Sequence, residues 1–321
     1  MEMERIFLYI QSFPSSFMSS GSTTTPVFNP ATEALSQGEQ KDASVSVLCV
    51  PEECPTINEA LICAKESDGR IKTIRLAKGI HLVRGEKRIG AGISVGINFP
   101  IVIAGVGKNE TFVQGSGFSV EPGNENSTKD EVVLRDMTVQ QTDGAGVDFR
   151  KNQWFNEMSK MLLKMIDVEV TECKKSGVSL SGGARAECTN VTLSKCGTGL
   201  FVTSGAHAQC SNIVVTGCHA GGVYALSGSI TMQGEMTSVT GNVTGGSEYE
   251  YGLNVTRDKG DTPSLISLIY PLTAKGISRG NFGGGNIMIP LKKTEEEKGV
   301  HGIHVVDENG NVVPQCRCTI V

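Results

Sequence analysis

Apolar and polar positions alternate in short bursts from Val47 onwards, and most bursts are only four or five residues long. One segment breaks the alternation. Ile57, Ala60, Leu61 and Ala64 follow the i, i+3, i+4, i+7 spacing of one helix face. Thr56 and Glu59 precede and enter that face with the spacing of a capping box. Residues 73–76, 80–83, 100–104 and 111–114 then read as strands separated by glycine or charged turns.

Further along, the pattern repeats. The strands beginning at Asp167, Asn190 and Asn212 lie 23 and then 22 residues apart, and Cys173, Cys196 and Cys218 keep the same intervals. Gly177, Gly199 and Gly222 follow within a residue of that period. An earlier copy starting at Asp136 fits if about nine residues around Trp154 are an insertion. Each unit holds three period-two apolar segments, so three strands per turn face one interior. Hairpin turns are missing inside the clear units, which argues against an antiparallel sandwich. The aligned positions are Val, Ala, Cys and Gly rather than Leu, which argues against leucine-rich repeats. The expected fold is all-β: a parallel β-helix of three strands per coil of about 22 residues, coils stacking about 4.8 Å apart, with a short N-terminal capping helix.

The segments Thr56-Ile-Asn-Glu-Ala-Leu61, Ile74-Arg-Leu-Ala-Lys-Gly-Ile80 and Ile101-Val-Ile-Ala-Gly-Val-Gly-Lys-Asn109 carry a family likeness. With the repeat, they make the chain similar to the right-handed parallel β-helix proteins of the pectin lyase-like superfamily, over about residues 46–290. The resemblance implies a right-handed helix. Intracellular members of the class often act as interaction modules, whereas lyases on this fold use clustered acids for Ca²⁺ and a base that abstracts a proton.

Residues 1–45 are rich in Ser, Thr, Gln and Gly and read as a disordered or extended arm. Residues 291–321 read as a capping hairpin with an Asn-Gly turn, followed by a tail. The formal charge of −5, without a Lys/Arg block, excludes an open basic nucleic-acid binder. Apolar runs fall short of a membrane span. The stretch from Ile6 to Ile10 is too short for a signal-peptide core, so an intracellular chain with reduced thiols is expected. The sticky ends of a β-helix and the arm also allow assembly with other copies or a larger complex.

Candidate chemistry falls on the outer faces. Phe201 and Tyr224 occupy one outward stripe with Asp148 and Ser179, and Arg185 and His207 occupy another with Ser229. These four residues, Phe201, Tyr224, Arg185 and His207, are the expected contacts for an extended polysaccharide or protein partner. A third stripe runs through Thr138, Glu169, Thr192 and Val214. Asp143, Asp148, Asp167, Glu169 and Glu172, near Arg150, Lys174 and Lys175, are the acidic group a lyase would need. Asp148, Arg150 and Asp143 are therefore the catalytic candidates of an enzyme reading, with Asp148, Asp167 and Glu169 as Ca²⁺ candidates. Gly146-Val-Asp-Phe149 also resembles the segment around the nucleophilic Asp of pectin methylesterases, though Arg150 follows it and that family's Tyr-Gln-Asp motif is absent. A non-catalytic binding module without a cofactor is the favoured expectation. A carbohydrate-active lyase, epimerase or esterase on uronic-acid polymers is the alternative, and a structural component of an assembly is a third. Stacked cysteines point in one direction and do not converge as zinc ligands do, so they are expected to pack as core.

Overall fold

A computed structural model describes residues 46–88, 92–122, 131–151, 161–256, 263–288 and 302–313. The expected arm (1–45), the Trp154 insertion, and residues 291–301 and the tail of the expected C-terminal cap lie outside the described residues. Three lanes of parallel strands run the length of the stack. The first lane joins ten strands in order, from Val47–Val50 through Arg185–Thr189 and His207–Ser211 to Gly302–Val306. The second runs from Gly79–Val83 to Ser278–Arg279. The third runs from Gly92–Ile97 to Ile287–Met288 and opens with an antiparallel strand, Glu86–Arg88. The chain is a parallel β-helix.

Period-two patterning sets which side chains enter the core. Val170, Leu193, Val215 and Val239 stack rung on rung, as do Ala186, Ala208, Ile230 and Ile266, and all are buried. In the third lane Val178, Leu200, Val223 and Leu253 do the same. Val168, Val191 and Ile213 lie one position before aligned pairs and are fully buried, as the repeat requires. At roughly 25 cal/mol per Å² these ladders are the main stabilising contribution.

Two corner devices bend each coil. Between the first and second lanes, Asp136, Asp167, Asn190 and Asn212 all take a left-handed backbone, with φ of 57°, 53°, 55° and 56°. Asn and Asp tolerate that region best among residues with a Cβ. The corners also bond one another: Asn190 Nδ2 donates to Asp167 Oδ1 and Asn212 Nδ2 to Asn190 Oδ1, each at 3.1 Å. The long strands Glu131–Thr142 and Leu162–Thr171 pass through this corner and serve both lanes.

At the turn into the third lane, buried Cys173, Cys196 and Cys218 form a column, which Asn242 and Asn281 extend through hydrogen bonds to the carbonyls of Val215 and Val239. Gly146, Gly177, Gly199 and Gly222 run beside it because the space has no room for a side chain. A Cβ on Gly199 would stand 2.3 Å from Val215 Cγ1 and 2.6 Å from the Gly222 carbonyl. The described cysteines are free thiols, and burial pushes Cys218 up to about 11.

Both ends are closed differently from the middle. The helix Ile57–Glu66 has Thr56 as its cap, its Oγ1 accepting from the Glu59 N–H at 3.2 Å. Ile57, Ala60, Leu61 and Ala64 are buried in the common core. At the other end, residues 304–306, read from sequence as half of a hairpin, belong to a further rung: Gly302–Val306 pairs in parallel with Leu265–Ile269. Beyond it Val306 and Val312 bridge antiparallel, across the turn that Asp307 holds by accepting from the Asn309 and Asn311 N–H groups. The Asn-Gly signal marks the turn correctly, but the stack's open edge recruits the strand before it.

Candidate functional site

The outer face of the first lane carries an ordered array of hydrogen-bonding side chains. Its register places Arg185, His207 and Ser229 in one column and Lys164, Glu187, Gln209, Thr231 and Ser267 in the next. Arg185, Glu187, His207 and Gln209 are exposed. Lys164 Nζ lies 2.9 Å from Glu131 Oε1 and 3.8 Å from Glu187 Oε2, so it bridges neighbouring carboxylates. His207 Nδ1 pairs with Ser229 Oγ. Partial burial and the adjacent Arg185 guanidinium both hold His207 below the usual imidazole value, so it is neutral at pH 7. The structure thus brings the predicted Arg185 and His207 together on adjacent rungs.

The aromatic stripe differs from expectation. Phe201 and Tyr224 are register neighbours, but both are half-buried and their rings meet at 5.3 Å and 49°. Tyr224 Oη is bonded to Thr256 Oγ1 at 2.6 Å. Tilted rings packed on each other present an edge rather than a flat step.

Asp148 shares that third-lane stripe, with Ser119 on one side and Ser179 on the other. It points outward by register yet is only 1% exposed, which corrects the expectation of an open surface position. Its Oδ2 accepts from Arg150 Nε at 2.5 Å, while Oδ1 has no hydrogen-bond partner among the described residues. Burial raises its pKa, against the opposing pull of the Arg150 charge and the Ser179 hydroxyl. Thr138 is also covered rather than exposed, and its hydroxyl donates to the Lys108 carbonyl.

The acidic group does not converge. Asp143 pairs with Lys174 at 2.6 Å and Glu172 with Lys195 at 3.4 Å, both along the outside of a corner. Asp167 belongs to the Asn ladder, and Glu169 lies on the second lane, away from Asp148 on the third. Of the three catalytic candidates the fold joins Asp148 to Arg150 and separates both from Asp143. No group of three or more His, Cys, Asp or Glu side chains among the described residues is placed to hold a metal ion. The physical reason is the stack itself: residues close in sequence but across a corner point away from each other. Sequence reasoning missed Ser119 and Glu121, which flank Asp148 and Arg150, because the 22-residue repeat is not readable before Asp136. Aligning Gly117-Phe118 with Gly146-Val147 would have found them.

No protein-family model matches the chain, and no curated protein matches it. Among solved structures it is similar to the catalytic domain of a GH87 alpha-1,3-glucanase in complex with nigerose, with a TM-score of 0.35 and 10% identity. That likeness covers 88% of this chain and 59% of the glucanase chain, so the chain spans less than two thirds of that neighbour's length. It is also similar to the A-modules of two mannuronan C-5 epimerases of Azotobacter vinelandii, AlgE6 and AlgE4. Their TM-scores are 0.27 and 0.26 and their identities 10% and 12%. These cover 81% and 77% of this chain and 95% and 94% of theirs.

Proposed function

We propose that the chain is a non-catalytic binding module that lays an extended glycan along the outer face of the first lane. One observation carries this reading: exposed Arg185, Glu187, His207 and Gln209 repeat in register on neighbouring rungs, next to Ser229 and Thr231. Such a row offers donors and acceptors about every 4.8 Å along a straight line, which suits a chain of hydroxyl-bearing units lying across the strands. The side chains are polar and short of apolar anchors, which favours a sugar polymer over the aromatic-centred contact of a protein partner.

Affinity electrophoresis against a panel of neutral and acidic polysaccharides tests the reading. At least one polymer retards the wild type; Arg185→Ala with His207→Ala weakens retardation about tenfold, in line with the loss of a charge-assisted hydrogen bond from Arg185 and a neutral one from His207. Phe201→Ala with Tyr224→Ala leaves binding within about twofold once the variant is shown to be folded. No retardation by any polymer, or equal retardation of the Arg185/His207 variant, refutes the assignment.

A second reading, a carbohydrate-active enzyme, is supported by the buried Asp148 with its raised pKa and its Arg150 partner. Incubation with pectate or alginate, with and without Ca²⁺, should give no unsaturated product if the binding reading holds. Turnover that is lost in Asp148→Asn would replace it.

A further inference from the structure

A cavity of about 410 Å³ opens where the helix Ile57–Glu66 meets the outer face of the third lane. It lies apart from the first-lane face, and its walls come from parts of the chain far apart in sequence. The helix contributes Lys65 and the apolar side chain of Ile62; the end of the second lane contributes Arg84; the third lane contributes Ser94 and Glu121. Asn58 fastens these pieces together, its Nδ2 donating to the Arg84 carbonyl at 2.8 Å and its Oδ1 accepting from the Arg84 N–H at 3.4 Å. Lys65 and Arg84 are thereby held at one opening.

The polar inventory is unbalanced. Neither the Lys65 ammonium nor the Arg84 guanidinium has an ion-pair partner among the described residues. Glu121 already accepts from Ser119 Oγ at 3.3 Å. Ser94 is 2% exposed, and its Oγ has no hydrogen-bond partner among the described residues. A hydroxyl taken out of water without a partner is unfavourable unless something else supplies the bond. Ser94 faces outward by register rather than into the core; the residue lines the cavity, with its hydroxyl closed off from solvent.

We propose that the cavity binds a small hydroxylated anion of monosaccharide size, a sugar carrying one carboxylate or phosphate group. The anionic group sits against Lys65 and Arg84, where charge-assisted bonds are strongest. Ligand hydroxyls meet the Glu121 carboxylate, and the apolar face of the sugar lies on Ile62, which lines the cavity and is exposed. The volume is at the small end of the range for ligand sites, which fits one ring and not a polymer.

Isothermal titration at low salt with glucose 6-phosphate and with glucuronate tests this, using glucose and inorganic phosphate as the partial probes. At least one charged sugar binds with one-site saturation, and whichever binds tighter identifies the preferred anion. Glucose and inorganic phosphate each bind at least about tenfold more weakly, since each lacks half of the recognised chemistry. Lys65→Ala and Arg84→Ala, both exposed positions, each weaken the charged sugar about tenfold without unfolding the chain. Ser94→Ala leaves binding within about twofold, while the unliganded protein unfolds at an equal or higher temperature because an unpartnered hydroxyl is gone. Absence of saturable heat with both charged sugars overturns the proposal, as does binding unchanged in Arg84→Ala and Lys65→Ala. Inorganic phosphate binding as tightly as glucose 6-phosphate also overturns it, reducing the site to a simple anion contact. The outcome is independent of whether the first-lane face binds a polymer.

Discussion

Asp148 is pulled in two directions, because burial disfavours its charge while Arg150 and Ser179 favour it, and burial wins. The folded chain therefore holds this proton more tightly than the unfolded chain does. Unfolding releases it, so each upward step in pH through the carboxylate range weakens this residue's contribution to the fold. Asp148→Asn removes the titration. The wild type's melting temperature relative to Asp148→Asn should fall as pH rises from about 3.5 through the raised pKa, the start lying near the ordinary carboxylate value. A difference that grows with pH would mean the Arg150 ion pair dominates instead. A second residue-scale test uses the glycine column. In Gly199→Ala the new methyl meets Val215 Cγ1 and the Gly222 carbonyl, so overpacking should cost about 1–3 kcal/mol in urea unfolding. Gly221→Ala is the control: its nearest neighbour is the Tyr251 carbonyl at 3.5 Å, an ordinary contact, and the effect should stay within about 0.5 kcal/mol of zero.

At the scale of elements, the corner matters more than the strand. Asn190 satisfies two demands at once, a φ of 55° and a place in the side-chain ladder between Asp167 and Asn212. Asn190→Ala loses two hydrogen bonds and puts an alanine in the left-handed region, which together should destabilise by about 2–4 kcal/mol. Asn190→Gly loses the same bonds but relieves the backbone, so its urea midpoint should lie between those of Asn190→Ala and the wild type. Equal midpoints for the two variants would show that the ladder alone matters. These corners were legible in the sequence because Asp136, Asp167, Asn190 and Asn212 recur at the period of the repeat. The strands between them were legible because Val, Ala and Cys alternate with polar residues. What lay outside reach was the covering of outward positions. Alternation says that Asp148 and Thr138 point away from the core, but not that Asp148 will be 1% exposed or that the Lys108 carbonyl will lie against Thr138. The cavity was unreadable for a similar reason: Lys65, Arg84 and Ser94 share no motif, and only the docking of the helix on the third lane brings them together.

For the whole molecule, a stack in which each coil touches only its neighbours behaves as a one-dimensional array, least stable where a coil has one neighbour instead of two. The free thiols report on this directly. Cys63 is exposed on the capping helix, Cys54 is buried beneath it with its Sγ 3.9 Å from that of Cys63, and Cys188 and Cys210 are stacked in mid-array. Burial raises the Cys54 thiol, and contact with Cys188 together with burial raises Cys210 well above its ordinary value, so neither reacts without opening. Native-state alkylation followed by peptide mapping should label Cys63 first, Cys54 next, and Cys188 and Cys210 last. Leu61→Ala separates local from global opening, because Leu61 is 5% exposed and fastens the helix to the core. Losing about 2 kcal/mol or more at that contact should speed Cys54 labelling roughly 30-fold. Cys210 should keep its wild-type rate if the cap opens alone, because the coils around it retain both neighbours. Acceleration of Cys54 and Cys210 by the same factor would instead show that the cap and the coil stack open as one cooperative unit, with the helix fixing the stability of every rung behind it.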